Sequence, residues 1–84
     1  MPEIVVYSTT VCPYCVRAKM LLNKKNLAFE DINLDKEPER RDEMVQKAGG
    51  RRTVPQIFIN GRHIGGCDDL YALEQEGKLD ELLV

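Results

Sequence analysis

With 84 residues, the chain has room for one domain, spanning 1–84, with a modest core and no separate regulatory module. A composition of 43% hydrophobic and 31% charged residues, with 6 Gly and 4 Pro, excludes a disordered or fibrous chain. The formal net charge of -2 gives no reason to expect nucleic acid or an anionic membrane as the main partner. The longest early apolar run, Ile4 to Tyr7, is too short for a signal peptide or a membrane span, so the expectation is a cytoplasmic protein.

Ile4 to Tyr7 is apolar and β-branched, the pattern of a buried, parallel, central strand. Ser8 to Val11 read as a polar loop. Pro13 suits the first position of a helix, where its missing N–H costs nothing. That helix is expected to run to about Lys25, with Cys15, Ala18, Leu21 and Leu22 on its inner side and Asn26 ending it. Ala28 to Asn33 suggest a second strand. Glu37 and Pro38 open a second helix, with Met44, Val45 and Ala48 as its apolar side and Gly49-Gly50 as its stop.

Gln56 to Asn60 read as a third strand. Asn60-Gly61 is a hairpin signal, with the return strand over Arg62 to Ile64. After Gly65-Gly66, Asp68 or Asp69 is expected to cap a third helix carrying Leu70 and Leu73. Lys78 to Leu83 suggest a short final helix. Strands alternating with helices predict an α/β fold: a mixed four-stranded sheet flanked by helices, its antiparallel edge made by the hairpin.

Three cysteines is an odd count, which argues against a small secreted domain stapled by disulfide pairs. In a reducing compartment a close Cys pair is more often catalytic or metal-binding than structural. Cys12-Pro13-Tyr14-Cys15 lies where the first strand hands over to the first helix, which makes Cys12 its N-cap. The sulfur is then within reach of the backbone N–H of Tyr14 or Cys15, and both those donors and the helix dipole favour a thiolate. Thiols at such sites titrate at about 3.5–7.5 against about 8.5 for a free thiol, and Cys12 is expected in that lowered range. Cys15, one turn further on the inner face, should be less exposed. Cys12 therefore attacks and Cys15 resolves.

A C-x-x-C pair is also half of a zinc site, and His63 with Cys67 supply two further ligand types. Zinc knuckles set each Cys pair on a turn, whereas this pair opens an amphipathic helix behind a buried strand. The redox reading leads, with no metal expected.

Val11-Cys12-Pro13-Tyr14-Cys15, Thr53-Val54-Pro55-Gln56-Ile57-Phe58-Ile59 and Gly65-Gly66-Cys67-Asp68-Asp69-Leu70 resemble the three signature segments of glutaredoxins, in the family's order. The likeness runs from Ile4 to Leu83, and C-P-Y-C marks the dithiol class, of the bacterial kind. Thioredoxins carry W-C-G-P-C instead, and this chain has no Trp.

The resemblance implies a thioredoxin-like fold, glutathione as co-substrate and reductant, and a glutathione groove made by Tyr14, Thr53, Val54, Pro55, Gly66, Cys67, Asp68 and Asp69. It implies a cis bond between Val54 and Pro55, with the Val54 backbone pairing with the cysteinyl residue of glutathione by strand addition. The N-terminus of the third helix, at Gly66, Cys67 and Asp68, is implied to take the α-carboxylate of the γ-glutamyl residue. Asp68 or Asp69 then meets its ammonium while the other caps. Tyr14 packs against the bound peptide, and Cys67 has a backbone role.

Many relatives carry a Lys shortly before C-P-Y-C, where this chain has Ser8-Thr9-Thr10. Arg40, Arg41, Arg51 and Arg52 are the candidates for the missing cation. Further partners implied by the family are disulfide-bonded or glutathionylated proteins, with ribonucleotide reductase as one instance, and glutathione reductase with NADPH behind the glutathione. A monomer is expected. Two alternatives stay open: a redoxin served by a flavin-dependent reductase, and a protein holding zinc or an iron–sulfur cluster.

Overall fold

The structure, a computed structural model, describes residues 2–83. Strand β1 spans Ile4–Ser8, helix α1 Pro13–Lys24, β2 Glu30–Asn33, α2 Arg41–Lys47, β3 Gln56–Ile59, β4 Arg62–Gly65, α3 Cys67–Gln75 and α4 Leu79–Leu82. The four strands form one mixed sheet in the order β2-β1-β3-β4. β1 runs parallel to β2 and antiparallel to β3, and β4 returns antiparallel to β3. The expected mixed sheet is present. Its antiparallel part is wider than a hairpin edge, because β3 already opposes β1.

Several boundaries differ from the sequence expectation, each for a local reason. β1 keeps Ser8, whose register partner is Asn33 and whose hydroxyl donates to Asp31 Oδ1 at 2.6 Å. β2 starts at Glu30 rather than Ala28, since its ladder begins where Val5 meets Glu30. The second helix does not begin at Pro38. A 3₁₀ turn over Pro38–Arg40 precedes it, tightened by the Arg40 N–H to Glu37 carbonyl bond at 3.0 Å.

α1 ends as the sequence suggests. Asn26 adopts φ +59°, and the bonds from Asn26 N–H to Asn23 O and from Leu27 N–H to Leu22 O make a Schellman cap. Asn60 and Gly61 both have positive φ, which matches the twist a two-residue hairpin loop needs. α3 corrects another expectation: its N-cap is Gly66, and neither Asp68 nor Asp69 holds that position. The Asp69 carboxylate instead reaches back from the third helical position and accepts the Gly66 N–H at 2.9 Å.

The strands alternate their side chains between two apolar layers. On one face Ile4, Val6, Ile57 and Ile59 pack under Ala18, Leu21 and Leu22 of α1 and Leu70 of α3, with Leu79 of α4. On the other face Tyr7, Ile32 and Phe58 pack under Met44 of α2, together with Leu34 and Ala48. The redox pair lies at the carboxyl end of β1, where the strand feeds the start of α1.

Candidate functional site

Cys12 is the N-cap of α1. Its backbone is extended, with φ −151° and ψ 97°, and Pro13 follows at the first helical position. The Cys15 N–H donates to Cys12 Sγ at 3.1 Å. One of the helix's orphan N–H groups, of which Pro13 supplies none, is thus aimed at the sulfur, alongside the positive end of the dipole. Cys12 and Cys15 are joined as a disulfide, with their Cα atoms 5.2 Å apart. Cys12 is 9% exposed and Cys15 1%, so an approaching partner reaches Cys12 first.

Above the pair lies the loop before β3. The Val54–Pro55 peptide bond is cis, and the Val54 carbonyl oxygen lies 3.9 Å from Cys12 Sγ. A groove of about 260 Å³ opens beside it, lined by Tyr14, Arg51, Thr53, Val54, Pro55, Gly66, Cys67, Asp68 and Asp69. Every residue the family resemblance assigns to the groove lines this one cavity, although they come from three separate stretches of chain. A larger cavity, about 510 Å³, sits under α2 over Val5, Tyr7, Ile32 and Phe58; no cysteine lines it.

Arg51 is the addition that sequence alone left unresolved among four arginines. Arg40 is occupied by Glu43 at 2.9 Å, and Arg41 donates to the Arg52 carbonyl at 3.1 Å. Arg51 alone of the four lines the groove, where it pairs with Asp69 at 3.2 Å. The Gly66 N–H and then Arg51 hold the Asp69 carboxyl below the usual carboxylate range. Gly65 has φ +121°, and a Cβ there would collide with the Asp69 carboxylate. Asp68 makes no side-chain hydrogen bond among the described residues.

Cys67 is buried, and that burial pushes its thiol up from the ordinary value. A raised thiol is a poor nucleophile at neutral pH. The segment before Cys12 carries no cation; the Thr10 N–H is tied to Asp35 Oδ2 at 2.7 Å and its hydroxyl accepts from Asn33 Nδ2 at 3.3 Å. The zinc arrangement does not assemble. Among the described residues no three His, Cys, Asp or Glu side chains gather as a metal-ligand group, and the His63 Nε2 faces Gln56 Oε1 at 2.7 Å.

A four-stranded mixed sheet between helix layers, with a largely buried cysteine at a helix N-cap beside a cis-proline loop, defines a thiol–disulfide oxidoreductase of thioredoxin-like fold. The Glutaredoxin family model matches residues 4–64. A glutaredoxin of Pseudomonas aeruginosa is 57% identical over 99% of this chain and 98% of its own length. Glutaredoxin 3 of Escherichia coli is 51% identical over 99% of each. A crystal structure of a buckwheat glutaredoxin–glutathione complex superposes with a TM-score of 0.89 at 39% identity, covering 98% of this chain and 76% of that one. The chain belongs to the glutaredoxin family, the glutathione-dependent thiol–disulfide oxidoreductases. Among the described residues no helix is long and apolar enough to cross a membrane.

Proposed function

We propose that Cys12 is the attacking sulfur, Cys15 the resolving one, and the 260 Å³ groove the seat of the glutathionyl group. The observation that carries this reading is the Cys15 N–H pointing at Cys12 Sγ, which lies 3.9 Å from the carbonyl of Val54, a residue of the groove wall.

In the monothiol branch the Cys12 thiolate attacks the glutathionyl sulfur of a mixed disulfide. The substrate leaves as its thiolate, which takes up a proton, and Cys12 holds the glutathionyl group. A second glutathione thiolate attacks that same sulfur, freeing Cys12 and forming glutathione disulfide. In the dithiol branch Cys12 forms a mixed disulfide with a protein, and Cys15 attacks Cys12 Sγ to release the reduced protein. Two glutathiones then reopen the Cys12–Cys15 bond. The thiolate's hydrogen bond from Cys15 N–H makes Cys12 both a nucleophile and a good leaving group.

The Val54 backbone binds the cysteinyl residue of glutathione by strand addition. The first N–H groups of α3, at Cys67 and Asp68, take the γ-glutamyl carboxylate. Asp68 meets the ammonium, because Asp69 is already engaged by Gly66 and Arg51. Tyr14 flanks the bound peptide. The protein acts in the cytoplasm as a monomer without a metal. It reduces disulfide-bonded or glutathionylated proteins, ribonucleotide reductase among them, and its glutathione is regenerated by glutathione reductase with NADPH.

The test is to offer the oxidised protein either glutathione or NADPH with a flavin-dependent reductase, and to count released thiols. Release by glutathione supports the reading. Release by the flavin enzyme alone contradicts it. Mass analysis of Cys15→Ser treated with glutathione disulfide should find one glutathionyl group, on Cys12.

A further inference from the structure

Gln56 is a polar side chain with no solvent exposure at the start of β3. Its amide is held at both ends. Nε2 donates to the Thr53 carbonyl at 2.9 Å and to Thr53 Oγ1 at 3.3 Å. Oε1 faces His63 Nε2 at 2.7 Å. Because the Gln56 NH₂ is committed to Thr53, Oε1 can only accept, so His63 Nε2 carries the proton and donates. His63 sits opposite Phe58 across the β3–β4 ladder and packs its ring on it, with centroids 5.0 Å apart.

The Thr53–Val54 peptide is trans and planar, so its carbonyl and N–H point in opposite directions. Drawing the Thr53 carbonyl onto Gln56 therefore turns the Val54 N–H away from the sheet. Among the described residues no acceptor takes that N–H. We propose that Gln56, locked by His63, is a positioning residue that aims the Val54 N–H at the main chain of a glutathionyl substrate. The inference rests on the reading of Val54 as the strand-addition site. It goes beyond that reading by assigning the aim of the donor to a buried amide that touches no substrate.

A misaimed N–H weakens ground state and transition state alike, which raises KM and leaves kcat. The experiment compares wild type, Gln56→Leu and His63→Phe with a glutathionylated peptide as substrate, and measures alkylation of reduced Cys12 by iodoacetamide, which needs no main-chain partner. Gln56→Leu should raise KM about tenfold with kcat unchanged, and His63→Phe, which frees the amide to turn over, about threefold. Alkylation rates should match wild type in both. His63→Phe keeps the stack on Phe58, so it remains informative if Gln56→Leu fails to fold. A fall in kcat and alkylation together, or an unchanged KM in a folded His63→Phe, overturns the inference while leaving the groove reading intact. A wild type that shows no saturation by the glutathionylated peptide overturns the groove reading, and the inference with it.

Discussion

Asp69 reaches back one helical turn to accept the Gly66 N–H at 2.9 Å, while Arg51 holds the same oxygen at 3.2 Å. This clasp shapes the loop that leads from β4 into α3, one wall of the groove. It also makes the loop sensitive to acid. The Gly66 N–H, then Arg51, depress the Asp69 pKa in the folded state. A depressed folded pKa contributes stability that is complete above the unfolded value, about 4, and is lost as pH falls through the lower folded value. Wild type should therefore melt above Asp69→Ala at pH 5 to 7, with the gap closing below about pH 4. Thermal midpoints across that range check it. A gap that does not vary with pH would mean that the Asp69 charge is irrelevant to the clasp.

Gly65 is required by both conformation and space. Its φ of +121° disfavours any L side chain, and a Cβ would strike the Asp69 carboxylate. Gly65→Ala should cost about 1–3 kcal/mol in stability and weaken glutathione binding by opening the clasp. Denaturant midpoints and the KM for glutathione read the two effects separately.

Helix α2 is held to the sheet chiefly through one wholly buried side chain, Met44, over Tyr7, Ile32 and Phe58. Met44→Ala should destabilise by about 2–5 kcal/mol, the usual cost of such a cavity. Hydrogen exchange should accelerate in α2 well before α1. Val16→Ala, at a site 53% exposed, should change stability by no more than about 0.5 kcal/mol.

Much of this was legible in the sequence because each signal had a local physical cause. The β-branched run at Ile4, the Pro after Cys12, the Asn60-Gly61 turn and the spacing of Ala18, Leu21 and Leu22 each report on backbone or burial nearby. Asn26 as a helix stop was readable for the same reason. The Gly66 cap was missed because an aspartate two or three residues into a helix and one at its N-cap look alike in sequence; only the reach of the Asp69 carboxylate separates them. Arg51 could not be told from Arg40, Arg41 and Arg52, since which cation faces a groove depends on how the chain turns after α2. Gln56 and His63 lie seven positions apart, and the antiparallel pairing of β3 with β4, which sets Phe58 opposite His63, brings them together.

The most direct test of the central claim is glutathione-dependent reduction of a small mixed disulfide, coupled to NADPH oxidation through glutathione reductase. Wild type, Cys12→Ser and Cys15→Ser are assayed side by side. With Cys12 as the nucleophile, wild type and Cys15→Ser turn over and Cys12→Ser is inactive. Turnover by Cys12→Ser, or an inactive wild type whose disulfide a flavin-dependent reductase opens, would contradict the account.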